Sequence, residues 1–327
     1  MKSPVIECEG LLFIGDPQLT ARRPGRRKDI DFTGAILGKI AQSMEIANEH
    51  RLLPVFLGDM FDRAVERDES LKTRLMRILA TCWTKPFSNV GNHDMQGLRL
   101  ADADSLSLLA VSSLIHIVDT NGPAVEVRIG SYRVGLGFTP YGQRIPHEAG
   151  SLFPEADAIV WMTHADIAFD GLFPGGTSPF EISGCSLVVN GHDHHTKQPL
   201  VVGQTMWFNP GNITRLSVDM IDHVPTVWQF SPHVSAEIIP HELKHQKDVF
   251  DLVGRLIDDI SPGEGPDDYG SAFVDMLSAD VEAGPAATQD GALLLEEMTR
   301  RFNENKTAPE IRNYLLELFN GATAEAA

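Results

Sequence analysis

Short apolar runs alternate with amphipathic stretches through the first 245 residues. Leu11-Leu12-Phe13-Ile14 reads as a buried strand that stops at Gly15-Asp16, and Leu52-Leu53-Pro54-Val55-Phe56-Leu57 as a second that stops at Gly58-Asp59. Between them, Ile36, Ile40, Met44 and Ala47 recur at helical spacing and predict a helix over 33–49. Leu71, Leu75, Ile78, Leu79 and Cys82 predict another over 69–82, and 86–90 then leads into Gly91-Asn92-His93. Further strands are expected at 132–138, 158–162, 186–190, 205–209, 225–230 and 236–239, most without helices between them. A mixed first half and a β-rich second half imply an α/β core of two sheets packed face to face, with helices outside. Loops at the C-terminal ends of the strands would then carry the reactive side chains.

After about residue 245 the texture changes. Segments 248–260, 271–279, 291–303 and 308–319 read as helices separated by Pro/Gly/Asp-rich breaks. Residues 246–327 hold 17 acidic and 6 basic side chains. We therefore divide the chain into a catalytic domain over 1–245 and an acidic helical C-terminal appendage over 246–327, serving as a cap or as a docking element for a partner.

The whole chain, 327 residues with a formal charge of −18, is unlike the basic proteins that coat nucleic acid. A basic cluster, Arg22, Arg23, Arg26, Arg27 and Lys28, interrupts that acidity directly after the first polar motif. Three scattered cysteines, Cys8, Cys82 and Cys185, make no disulfide framework, and no run approaches the ~20 apolar residues that span a bilayer. The expectation is a cytoplasmic protein with no membrane partner.

Five polar clusters end the apolar runs: Gly15-Asp16-Pro17-Gln18, Gly58-Asp59-Met60-Phe61-Asp62-Arg63, Gly91-Asn92-His93-Asp94, Thr163-His164 and Gly191-His192-Asp193-His194. Carboxylate, amide oxygen and imidazole are the ligand types of Mn²⁺, Fe and Zn²⁺. Asp59 is the candidate bridge between two cations, since a carboxylate has two oxygens. Asp16, Gln18 and His194 would complete one shell; Asn92, His164 and His192 would complete the other. The glycine before each of Asp16, Asp59, Asn92 and His192 permits a sharp strand-to-loop turn. His93 is placed to give a proton to a leaving oxygen, Asp62 to orient its imidazole, and a coordinated water to supply the nucleophile.

In this order, the five motifs resemble the calcineurin-like metallophosphoesterase superfamily across residues 11 to about 230. That resemblance implies a four-layer α/β/β/α sandwich with a dinuclear site at the sheet edges. It carries metal ligation onto Asp16, Gln18, Asp59, Asn92, His164, His192 and His194, and the catalytic histidine onto His93. Where the family has Asp-x-His this chain has Asp16-Pro17-Gln18, a harder oxygen donor that favours Mn²⁺ over Zn²⁺ or Fe. Within the superfamily, Gly58-Asp59-Met60-Phe61-Asp62-Arg63-Ala64 and the segment Phe208–Ser217, with Pro210-Gly211 and Arg215, look like the double-strand-break-repair nuclease branch (SbcD-type).

The resemblance implies a two-metal phosphodiesterase acting on DNA as an exo- or endonuclease, partnered by an ABC-type ATPase or by a second copy of the chain as a homodimer. Arg63 and His195 would touch substrate phosphate, and Arg22, Arg23, Arg26 and Arg27 would line the rim. A small-molecule phosphatase, a cyclic-nucleotide phosphodiesterase and a non-catalytic scaffold remain as alternatives.

Overall fold

The computed structural model describes residues 5–169, 176–232 and 238–252, with positions 312 and 316. Two units divide the chain, Met1–Arg255 and Leu256–Ala327. The described architecture belongs to the first. The appendage expected over 246–327 lies almost wholly outside the described residues; of its first expected helix, 248–252 are described and are not helical. There, Phe250 instead bridges antiparallel to Arg27.

The strands are β1 (Ile6–Cys8), β2 (Gly10–Ile14), β3 (Leu52–Phe56), β4 (Phe87–Asn89), β5 (His116–Val118), β6 (Gly122–Ile129), β7 (Tyr132–Thr139), β8 (Ala158–His164), β9 (Leu187–Gly191), β10 (Lys197–Val202), β11 (Thr205–Asn209), β12 (Thr226–Phe230) and β13 (Ile238–Glu242). They form two sheets. One has the order β13-β12-β2-β3-β4-β5 and the other β1-β6-β7-β8-β9-β11-β10. Strands β2 to β5 run parallel, as do β7, β8, β9 and β11.

Helices α1 (Phe32–Glu49), α2 (Glu69–Leu79) and α3 (Ser105–Val111) are the α-helices of the first unit among its described residues. Asp31 caps α1 by accepting from the Gly34 amide, and Asp68 caps α2 by accepting from Leu71. Alternation along the strands builds the layers. Leu12, Ile14 and Phe56 face Ile36, Ile40 and Met44 of α1, whereas Leu11, Phe13, Leu53 and Val55 face the other sheet. Val134, Leu136, Phe138, Val160 and Met162 answer them from β7 and β8.

On the far side of the seven-stranded sheet, Trp161 and Trp207 pack with Ile145, Phe153 and Ile182 in a third core. Gly135 and Gly137 make room there: an added Cβ would sit 2.5 Å from the Phe153 ring and 2.2 Å from the Trp161 ring. That face is covered, among the described residues, by loops and the 3-10 turn Gly150–Leu152. The result is a two-sheet α/β sandwich. No helix among the described residues is long and apolar enough to cross a membrane.

Candidate metal centre

The parallel strands bring their C-terminal ends to one edge, and the polar clusters meet across the two sheets. Asp16 and Gln18 follow β2, Asp59 follows β3, Asn92 and His93 follow β4, His164 ends β8, and His192 and His194 follow β9. Hydrogen bonds stitch these loops together. Gln18 N donates to Asp59 O (2.9 Å) and Leu19 N to Met60 O (2.9 Å). His192 N donates to Asp16 Oδ2 (3.0 Å), and His93 N to Asp59 Oδ1 (2.8 Å).

Around Asn92 the side chains converge. His164 Nε2 lies 3.2 Å and His192 Nδ1 3.0 Å from Asn92 Oδ1, and His164 Nε2 lies 3.4 Å from Asp59 Oδ2. One ligand atom each from Asp59, His164 and His192 falls within 4.8 Å of the others, a spacing that can hold a metal ion. The Leu57 carbonyl, 2.9 Å from His164 Nδ1, accepts the proton of that nitrogen and turns Nε2 toward the two oxygens. Asp166 Oδ1, 2.8 Å from His192 Nε2, does the same for His192 and aims Nδ1 inward.

The other half of the set is looser. His194 Nε2 lies 3.9 Å from Asp16 Oδ2. Asp16 and Gln18 are each 1% exposed, and Asp16 Oδ1 and Gln18 Oε1 have no hydrogen-bond partner among the described residues. Orphaned buried acceptors are costly unless a cation satisfies them. Two such oxygens beside lone pairs aimed at acceptors fit divalent cations. The residues that would hold them are Asp16, Gln18, Asp59 and His194 on one side, and Asp59, Asn92, His164 and His192 on the other.

The electrostatics show the same demand. Burial pushes Asp16 up to about 7, countered in part by His164 and reinforced by the charge of Asp59. Burial would also raise Asp59, but the charge and hydrogen bond of His164 outweigh it and hold Asp59 below its ordinary value. For His164, burial is outweighed by Asp59 and Asp16, and its pKa rises to about 10. In this chain a proton on His164 offsets the carboxylates; a bound cation would take over that role. Burial, then the charge of His164, lowers His192, and burial lowers His194 to about 4, so both present neutral ligand nitrogens.

Backbone strain concentrates at the same edge. Gln18, Asp59 and His192 hold φ of 44°, 47° and 77°, in the left-handed region that non-glycine residues rarely adopt. The glycines before the motifs act differently from the expected turn role. Of the four, only Gly58 has a positive φ, at 120°. Crowding explains the others: a Cβ on Gly91 would fall 2.0 Å from Asp59 Oδ1, one on Gly191 2.8 Å from His164 Nδ1, and one on Gly15 1.8 Å from Gly211 O.

Three expectations need correction. Asp62 meets His93 through its backbone carbonyl, 2.7 Å from Nδ1, while its carboxylate lies 3.9 Å from Arg63. Arg27 is no rim residue. It is 3% exposed, grips both Asp29 oxygens at 2.7 and 2.8 Å, and lies between the Phe32 and Phe250 rings. Arg23 spends Nη1 on the Asp29 carbonyl (2.9 Å), and Arg26 reaches the Asp251 carbonyl (3.5 Å). Of the four arginines, Arg22 is thus the one whose side chain makes no hydrogen bond among the described residues.

Arg63 is exposed and lines a shallow, solvent-open cleft of about 560 Å³ with Asp62, Asn92, His93, Met95 and Gln96. His195, half exposed, lies 3.8 Å from Asp193 and 3.7 Å from Asp219.

Some contributors were assigned no role from the sequence. Asp166 was invisible because nothing in its sequence setting marks it. Asp94, fully buried, accepts from the Gly91 and Phe61 amides at 2.9 and 3.4 Å and locks two ligand loops together. Burial, then the charge of Asp59, raises it to about 7. Thr214 Oγ1 donates to Pro17 O (2.8 Å), and Asn209 Nδ2 to the Asp193 and His195 carbonyls (2.8 Å each), so the 209–215 segment braces both flanking loops.

No family profile matches the chain, and no curated protein matches it. Among solved structures, a 5'-nucleotidase precursor from Thermus thermophilus aligns at 14% identity with a TM-score of 0.45, over 72% of this chain and 54% of its own. A hypothetical protein from the same organism aligns at 12% identity and a TM-score of 0.45, over 72% of this chain and 99% of its own. The chain thus spans about half the length of the nucleotidase precursor. Likenesses this low place it in no family.

Proposed function

We propose that this chain is a metal-dependent phosphoesterase of the calcineurin-like kind, cleaving phosphodiesters, with DNA as its substrate class. One observation carries the reading: carboxylate, amide and imidazole ligands from five separate loops converge at one sheet edge, with buried Asp16 and Gln18 oxygens unsatisfied. Two divalent cations, when bound, would supply Lewis acidity and an activated water.

The chain's own residues do the rest. His93 Nδ1 donates to the Asp62 carbonyl, and the His93 amide is pinned to Asp59. Its Nε2 is left as the atom that gives a proton to the departing ester oxygen. Arg63, at the cleft wall, pairs with a substrate phosphate. An open cleft suits a polymer passing across it. Gln18, an oxygen donor where the family has imidazole, favours Mn²⁺.

A second reading, a phosphatase or cyclic-nucleotide phosphodiesterase for small substrates, is favoured by the withdrawal of Arg27 from the rim of an acidic chain. Turnover with Mn²⁺ of single- and double-stranded DNA, a cyclic nucleotide, a generic phosphodiester and a monoester separates the two. Loss of DNA cleavage in His93→Ala supports the nuclease. Turnover of the monoester alone removes it.

A further inference from the structure

A second concentration of charge lies away from the metal centre. It surrounds a cavity of about 800 Å³ walled by the first turns of α1, by residues 27–31, by Arg215 and by residues 244–249. Arg27, Lys39 and Arg215 are 3, 4 and 3% exposed, and Asp29, at 8%, is the buried carboxylate among the lining residues. Three buried cations thus face one buried anion, in a chain whose net charge is −18.

The hydrogen bonds show which cations are spent. Arg27 gives Nε and Nη2 to Asp29 and Nη1 to the Arg215 carbonyl (2.5 Å). Arg215 gives Nη1 to the Ile221 carbonyl (3.0 Å) and Nη2 to the Gln246 carbonyl. Arg215 Nε is buried without a partner among the described residues. No hydrogen bond contributes to the charge state of Lys39, whose pKa is lowered to about 7 by burial and by the charges of Arg27 and Arg215. Arg215 is lowered by the same burial and by Arg27.

Buried charge is expensive unless fully countered, and Asp29, the one buried carboxylate of the lining, acts on both of these groups while its oxygens are bonded to Arg27. Gly34, Ala35 and Gly38 on the α1 wall keep the volume open; a Cβ on Gly38 would meet no heavy atom within 4 Å. The cavity volume is that of a ligand site.

We propose that this cavity binds a small phosphoryl anion, held by Lys39 Nζ and Arg215 Nε. A dianionic phosphoryl group balances both cations at once and presents several acceptor oxygens. A monocarboxylate leaves one cation uncompensated. This site is separate from the metal centre, and its occupancy does not depend on the phosphoesterase reading.

The test is titration calorimetry on the full chain, stripped of metal and dialysed free of chelator so that the metal centre cannot capture phosphate. Pyrophosphate and inorganic phosphate are the probes, in chloride buffer. The wild type and His93→Ala bind one equivalent alike. Lys39→Met weakens binding by on the order of tenfold or more, the loss of a charge-assisted hydrogen bond, and Lys39→Arg retains it. Far-ultraviolet dichroism of each variant confirms the fold. Absence of binding to the folded wild type, as when the chain's own acidic residues fill the cavity, overturns the proposal. Equal affinity in Lys39→Met overturns it as well.

Discussion

Replacing Gly91 by Ala perturbs the candidate metal centre without replacing any of its ligand residues. The added methyl would sit 2.0 Å from Asp59 Oδ1, 2.5 Å from Asp59 N and 2.7 Å from Asp59 Cγ. Asp59 has nowhere to go. Its Oδ1 accepts from His93 N, its Oδ2 faces His164, its backbone already holds φ 47°, and it is 1% exposed. Relief therefore requires moving the β4 loop away from β3, at the roughly 1–3 kcal/mol typical of overpacking. The same shift pulls the Asp59 carboxylate out of line, and metal affinity should fall by about 10–100-fold, as when a ligand's support is lost.

Gly97→Ala is the control. It lies six positions on in the same loop region, is exposed, and meets no heavy atom within 4 Å. Urea denaturation and Mn²⁺ calorimetry on both variants read the two effects. If Gly91→Ala matches Gly97→Ala in stability and in metal affinity, the close approach of Gly91 to Asp59 does not shape the site.

Three further outcomes follow from the charged side chains. Lys39 has a folded pKa of about 7 against 10.5 for the ordinary amine. Between those values the unfolded chain holds a proton that the folded chain has lost, so without bound anion stability rises with pH across that window, by on the order of 5 kcal/mol. Lys39→Met flattens the dependence and is the more stable protein at pH 7, as urea midpoints against pH will show. Asp166→Ala removes the acceptor of His192 Nε2 and should cost about 10–100-fold in metal affinity with little change in melting temperature, read by calorimetry and by thermal scans. Arg27→Met strands Asp29 and should destabilise by roughly 3–5 kcal/mol, while Arg22→Ser should stay within about 0.5 kcal/mol; denaturation curves separate the two.

The sequence carried the centre of the sandwich well, because β2, β3, β8 and β9 are buried on both faces and read as unbroken apolar runs. Short or edge elements escaped. Strands β1 and β5 have three residues each, α3 seven, and β10 is an exposed edge with Pro199 in it. The expected helix over 69–82 ends at Leu79, where the Thr81 hydroxyl turns back to the Ile78 carbonyl.

The candidate ligand positions could be picked out in the sequence because each lies at or just after the end of a strand. Left-handed φ at Gln18, Asp59 and His192 was not, since it arises from loops forced together by tertiary contacts. Arg27 shows how a local pattern misleads. Five basic residues within seven suggested an exposed rim, yet Asp29 two positions on and Phe32 five positions on supply an ion pair and a ring that draw it inside.

Anomalous diffraction from crystals grown with Mn²⁺ tests the core of this account most directly. Two peaks should appear, one among Asp16, Gln18 and His194 and one among Asn92, His164 and His192, with Asp59 touching both. Crystals of active protein with no anomalous density between those side chains, or with Mn²⁺ bound only elsewhere, would contradict it.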